Sequence, residues 1–328
     1  MAGGCNDEDP EDGVVAESSL AADEYPPASS ATGDPVPRLH ALRRPYPYLP
    51  PDVVNPIPEV LVQVLTSEPR VLRRRGDHYE PIPISRARAV EAIVYLACHA
   101  PAVTSTRLAA ALQPELALGQ ASVDRTSTFG TVMSTARKAL GTASDGNLYL
   151  PRKTAERFGL ADTVMLDWDA VKALQAAAQA EPDSRMKAEL LSSALDLVGD
   201  EPPFAEIRRV SQRQRTTHRD AHWRWFEVEF LTDIERTITD IAGELAELHE
   251  RAGDHRAASM AARKGLEISP LDRPLRSVHL SAEAAQGPTQ LQFAWQETVR
   301  VFEAHGEPYD QVDVDLRRHY LLLLDETG

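Results

Sequence analysis

Two segments near the end of the chain align without a gap. GDHRAASMAARKGLEI (253–268) and GPTQLQFAWQETVRVF (287–302) open on Gly253 and Gly287, 34 residues apart. The alignment sets Ala257 on Leu291, Ala261 on Trp295 and Ile268 on Phe302. A period of this length belongs to stacked helix pairs, in which each pair buries its apolar face only against its neighbours. A third segment, DSRMKAELLSSALDL (183–197), aligns with 254–268 at an offset of 71, close to two periods. It places Met186, Leu190, Ala194 and Leu197 on Ala257, Ala261, Gly265 and Ile268. After Asp167 the apolar spacing predicts helices over 168–180, 184–198, about 220–252, 254–268, 272–286, 289–304 and 311–324. The aromatic run HWRWFEVEF (222–230) supplies Trp223, Trp225, Phe226 and Phe230, expected as core.

The preceding hundred residues have a different grammar. EVLVQVL (59–65) alternates, with Val60, Val62 and Val64 on one face. RVLRR (70–74) and YEPIPI (79–84) read as second and third strands of a small antiparallel sheet, the last an edge because of its prolines. Three helices come next. RARAVEAIVYLACHA (86–100) is apolar nearly all round and is expected at the centre of a core. TSTRLAAAL (104–112) starts at an N-cap, Thr104, and SVDRTSTFGTVMSTARKALG (122–141) runs from Ser122 to a C′ glycine, Gly141. DGNLYLP (145–151) and RFGLADTVML (157–166) read as a closing hairpin joined by the basic PRKTAER (151–157). A sheet, three helices and a hairpin make a winged helix. The predicted fold is therefore mainly α: a winged-helix α+β domain (59–166), then an all-α tetratricopeptide-like repeat domain (167–328).

Residues 1–58 are expected to be a disordered acidic tail, with six prolines in RPYPYLPPDVVNPIP (44–58). Charge divides the chain the same way. The tail carries 3 basic and 10 acidic residues, net −7; residues 59–166 carry 13 and 10, net +3; residues 167–328 carry 19 and 30, net −11. Only the middle part can face a polyanion without general repulsion. The N-terminus has no basic and apolar leader, and no apolar run reaches membrane-spanning length, so a cytoplasmic protein without a membrane partner is expected. Cys5 and Cys98 make no disulfide framework.

This ordered set of parts resembles actinobacterial regulators that join a winged helix to a bacterial transcriptional activator domain, as in antibiotic-pathway regulatory proteins. The likeness spans about 59–328. SRARAVEAIVYLACHAPAVTSTRLAAAL (85–112) is similar to the family's first two helices, and STFGTVMSTARKALG (127–141) to its recognition helix. LDWDAV (166–171), GDEPPF (199–204), LAELHERAGDHRAASMAARKGLEISPLD (245–272) and YDQVDVDLRRHYLLLL (309–324) resemble landmarks of the activator domain. The chain departs at Ser134–Gly141, which has one arginine fewer than the family's S-R-L-R-R-A-L-G form, and at Gln113-Pro114, where Trp-Pro is common. The resemblance implies a DNA-binding transcriptional regulator.

Helical phase separates packing from contact along 122–141. Phe129, Val132, Met133, Ala136 and Leu140 fall within about 60° of one direction. The opposite face carries Asp124, Ser127, Thr131, Ser134, Thr135 and Lys138, with Thr128 at one edge and Arg137 at the other. Short hydroxyls allow close approach in a major groove, and the cations can neutralise phosphates. Asp124 can accept from a cytosine amino group. Arg152, Lys153 and Arg157 on the wing, and Arg86 and Arg88 at the start of the first helix, are further candidate contacts with double-stranded DNA. The acidic repeat domain is expected to contact RNA polymerase or another protein, or to self-associate as a homo-oligomer.

A competing reading is an interaction scaffold whose winged helix no longer binds DNA, in keeping with the sparse positive charge. An enzyme is not expected. The chain has no phosphate-binding G-x-x-x-x-G-K-[ST], no G-x-G-x-x-G, no H-E-x-x-H and no G-x-S-x-G. His218 and His222 stand at i, i+4 without a third ligand, so no metal and no cofactor is expected.

Overall fold

The computed structural model describes residues 53–55, 57–112, 124–213, 223–307 and 314–327, with side chains left out at 124–128 and 210–213. The acidic segment before residue 53, Ser122, His218 and His222 lie outside this set. Three strands open the fold: β1 (Val60–Gln63), β2 (Arg70–Arg75) and β3 (His78–Pro81). Then come α1 (Ala87–Cys98), β4 (Val103–Thr104), α2 (Ser105–Leu112), α3 (Asp124–Leu140), β5 (Arg157–Phe158) and β6 (Val164–Leu166). The main sheet has the order β3-β2-β1-β6, antiparallel except for the parallel pair β1 and β6. Strand β1 is interior to the sheet and meets both α1 and the helix that begins at Asp167. It is therefore buried along its length: Val60, Leu61 and Val62 are all 0% exposed.

The closing hairpin differs from expectation. Residues 145–151 form no strand; the segment turns back through a single bridge between Thr142 and Leu148. The predicted strand over 157–166 is split in two. Arg157–Phe158 pairs with β4, and Val164–Leu166 joins β1. Gly159 marks the break, since a Cβ there would lie 2.5 Å from the Pro101 carbonyl oxygen. The terminal residues of the Pro-rich segment also belong to the fold: Val54 is 2% exposed within the core, and the Tyr79 hydroxyl donates to the Pro58 carbonyl at 2.8 Å. Local capping agrees with the sequence. Arg107 N donates to Thr104 Oγ1 at 3.3 Å, and Gly141, at φ +69°, donates its N–H to Arg137 O at 2.9 Å.

The remainder is helical: α4 (Asp167–Ala180), α5 (Ser184–Asp196) and α6 (Ala205–Arg213), the last without a counterpart in the sequence reading. A long helix, α7, starts as Arg224–Phe226, widens into a π-helical turn at Glu227–Leu231 and continues as Thr232–Arg251. It is followed by α8 (His255–Ile268), α9 (Arg273–Ala284), α10 (Pro288–Ala304) and α11 (Val314–Thr327). Each helix from α7 to α11 packs on the next. Gly253 and Gly287, at φ +76° and +134°, lie in the turns before α8 and α10, Gly253 ahead of the N-cap Asp254 and Gly287 itself the N-cap. Asp183 and Asp254, matched at the offset of 71, are both N-caps and accept from Met186 N and Ala257 N at 2.8 and 3.0 Å.

Buried carboxylates tie the two halves together. Asp167, wholly buried at the start of α4, accepts from Val64 N at 3.0 Å and Leu65 N at 3.1 Å, where β1 ends. Glu91, 0% exposed in α1, accepts from Trp223 N at 2.9 Å, Trp225 Nε1 at 3.2 Å and Arg88 Nη1 at 3.2 Å. Around it Tyr95, His99, Trp225 and Phe230 make a ring cluster, and His99 Nε2 meets the Glu229 carboxylate at 2.9 Å. A second seam joins backbones: Gly199 N donates to Leu65 O and Phe204 N to Thr66 O, at 2.8 and 2.9 Å.

Burial pushes Asp167 up to about 7, against the opposing pull of the amides of Val64 and Leu65. A folded-state value above the unfolded one means that its contribution is complete below about pH 4 and is lost as pH rises through about 7. Chemical unfolding of Asp167→Asn from pH 4 to 8 is expected to lack this component of the pH dependence. Asp167→Ala, which strands two buried N–H groups, is expected to cost about 2 kcal/mol or more.

Candidate nucleic-acid interface

Helix α3 presents two faces as its phase requires. Val132, Met133, Ala136 and Leu140 are at most 4% exposed, while Thr131, Ser134 and Lys138 are exposed and Thr135 is half-buried. Phe129 packs half-buried, its ring edge against Phe158 at 6.1 Å between centroids. Asp124, Ser127 and Thr128 lie in the first turns of α3, where only the backbone is described.

The cations divide into those turned outward and those used by the fold. Arg86, Arg152 and Lys138 are exposed. Arg137, expected to reach phosphate, instead fastens α3 to the wing: its Nε donates to Leu150 O at 3.0 Å and its Nη2 to Pro151 O at 3.4 Å. Arg88, also expected at phosphate, turns inward to Glu91 and the Leu112 carbonyl. Its place in the first turn of α1 sets it over the buried Glu91, one helical turn on. Lys153 pairs with Glu156 at 2.8 Å on the surface, a contact that solvent competes with readily.

The wing tip is a tight hairpin in which Thr154 and Arg157 exchange both backbone hydrogen bonds at 3.0 Å. Ala155 and Glu156 between them take left-handed φ values of 48° and 61°. Two positive φ values suit the twist of a two-residue hairpin but strain side chains other than glycine. Ser105 holds them in place: its N–H donates to Glu156 O at 2.8 Å and its hydroxyl to the Glu156 carboxylate at 3.1 Å. The Lys153 and Ser105 hydrogen bonds hold Glu156 below the usual carboxylate range. The tip is thereby pinned to the start of α2, with Arg152 and Arg157 on its outside.

Sequence reasoning missed the part played by β2. A groove of about 760 Å³ runs between β2–β3 and the C-terminal half of α3, lined by Arg73, Arg75, Arg86, Thr135 and Lys138, with Glu80 as its acidic member. Arg75 stands 3.9 Å from Glu80. Arg73 caps α3 by donating to the carbonyls of Ala139 and Leu140, and its guanidinium lies 5.9 Å from the Tyr149 ring centroid. The signal was the run Arg73-Arg74-Arg75 on a strand, whose alternation sends only one set of side chains to a given face. Among the described residues no group of three or more His, Cys, Asp or Glu is placed to hold a metal, and no helix is long and apolar enough to cross a membrane.

The different uses of neighbouring cations are separable. Arg137→Ala is expected to lower unfolding stability by about 1–2 kcal/mol through lost charge-assisted bonds to the wing. Lys138→Ala is expected to change it by less than about 0.5 kcal/mol. Equal and large losses in both variants would contradict this assignment.

No protein-family model matches the chain, and no curated protein matches its sequence. Among solved structures, Mycobacterium tuberculosis EmbR, determined in complex with a low-affinity phosphopeptide, is similar in fold with a TM-score of 0.54 at 17% identity. The superposition covers 83% of this chain and 66% of EmbR, so the chain spans about two thirds of that protein's length. The shared fold is a winged helix followed by a helical domain.

Proposed function

We propose that this protein is a transcriptional regulator that reads double-stranded DNA with its winged helix, residues 59–166, and makes protein contacts through its helical domain, residues 167–328. The observation that carries the reading is the outward face of α3. Thr131, Ser134 and Lys138 stand exposed beside a cationic groove, on the one segment of the chain with net positive charge. A helix of this kind enters a major groove, where hydroxyls and Lys138 meet base edges and phosphates. In this reading Thr135 adds to that face, Asp124, Ser127 and Thr128 contribute from the first turns of α3, Arg86 and Arg75 flank the groove, and Arg152 and Arg157 reach the DNA backbone from the wing. The helical domain, net −11, is repelled by DNA and is assigned to RNA polymerase, another protein or a second copy of the chain.

The scaffold reading has one specific observation in its favour. Arg88 and Arg137 are engaged inside the fold, and Lys153 is paired. About five outward cations then remain for phosphate, which predicts affinity falling roughly 10²–10³-fold between 50 and 200 mM salt. The test uses the full chain, because a cut at 166/167 would sever the Asp167 bonds to Val64 and Leu65. Selection from a random-sequence duplex library is expected to enrich a motif. Lys138→Ala and Arg152→Ala are each expected to reduce the salt slope by about one. Absence of binding at 50 mM salt would favour the scaffold.

A further inference from the structure

The helical domain carries 30 acidic against 19 basic residues, yet one groove within it gathers arginines. Arg263 of α8, Arg276 of α9 and Arg300 of α10 line a cleft of about 380 Å³, with Leu266, Val301 and Ala304 as apolar wall. None of the three arginines forms an ion pair among the described residues.

Arg276 is the unusual member, because it is 2% exposed. Its Nε and Nη2 both donate to the Pro270 carbonyl, at 3.2 and 3.0 Å, which fixes the plane of the guanidinium. Nη1 has no hydrogen-bond partner among the described residues. Burial pulls Arg276 below its usual value and the Glu297 carboxylate on the rim opposes that shift, but no carboxylate among the described residues stands within ion-pair distance. A planar, fixed guanidinium is well suited to bind a carboxylate or phosphate. Burial, first, and then Arg276 and Arg263 push His279, on the turn of α9 after Arg276, down to about 4. That residue thus feels the positive field of the same two arginines, although the Glu283 carboxylate stands 4.0 Å from its Nδ1. Two carboxylates border the cleft. Glu267 is engaged by Lys264 at 3.4 Å, and Glu297 lies along the exposed rim.

We propose that this cleft binds a small organic anion, whose carboxylate or phosphate group rests on Arg276 between Arg263 and Arg300 while its carbon skeleton lies on Leu266 and Val301. The cleft volume suits a metabolite rather than a polymer. Duplex DNA is a poor occupant, because the surrounding domain is net −11. The site stands independently of DNA binding by the winged helix.

The test is thermal unfolding and calorimetry of the full chain with inorganic phosphate or succinate, against sodium chloride of equal ionic strength. Phosphate or succinate is expected to raise Tm where chloride does not. Since Arg276→Ala can unfold the chain, the exposed pair Arg263→Ala/Arg300→Ala is the working variant. It is expected to keep the ligand-free Tm and weaken binding about tenfold. Glu297→Gln is expected to tighten binding severalfold, and phosphate to raise the His279 titration seen by NMR. Equal responses to chloride and phosphate would overturn the proposal, as would anion binding unchanged in the double variant. A glutamate-rich peptide that saturates the protein when neither phosphate nor succinate does would also overturn it, in favour of a protein partner.

Discussion

Two carboxylates that never meet water hold this molecule in one piece. Asp167 receives the amides at the end of β1, and Glu91 receives the Trp223 amide and the Trp225 indole. Both come from segments whose neighbours are apolar, so each carboxylate is solvated only by the N–H groups it accepts from. Removing either would leave buried donors unpaired, whereas exposed ion pairs such as Lys153 with Glu156 contribute little. Helix α1 is therefore central to the winged helix and equally a packing surface for the helical domain. Helix α3 is joined to the helical domain through α1 and these buried hydrogen bonds.

The same division of labour governs the arginines. Arg73 and Arg137 secure opposite sides of the C-terminal end of α3, one from the sheet and one toward the wing. Each satisfies carbonyls that the end of a helix or an irregular loop leaves without partners. Removing the Arg137 side chain would thus act first on how α3 is held against the wing. Lys138, one residue on and turned outward, has no such double duty.

Much of the fold is legible in the chain. Most helices after Asp167 can be placed to within a few residues, because an amphipathic stripe repeats at a period no strand shares. The burial of Val132, Met133, Ala136 and Leu140 is a matter of phase alone. The wing is not legible in the same way. Residues 145–151 and 157–166 both look strand-like locally, while pairing depends on partners far away: β4 for Arg157–Phe158 and β1 for Val164–Leu166. The groove beside α3 is half legible. Arg86 and Lys138 stand out in the sequence, but Arg75 does not, because nothing in the spacing of β2 says which helix it will flank.

The sequence by itself determined the order of parts, most helix boundaries, the caps at Thr104 and Gly141, and the sign of charge on each half. These are local properties, set by backbone preference and by periodicity over a few turns. Tertiary structure alone decided which polar groups are held inside. Arg88 and Arg137 read as surface cations until α1, α3 and the wing are brought together, and nothing in the spacing says that Glu91 will accept from Trp223 and Trp225. It also decided that Arg263, Arg276 and Arg300, spread over three helices, share one cleft. The reason is the same in each case. The cost of a buried charge depends on what surrounds it, and those neighbours come from segments that periodicity cannot bring together.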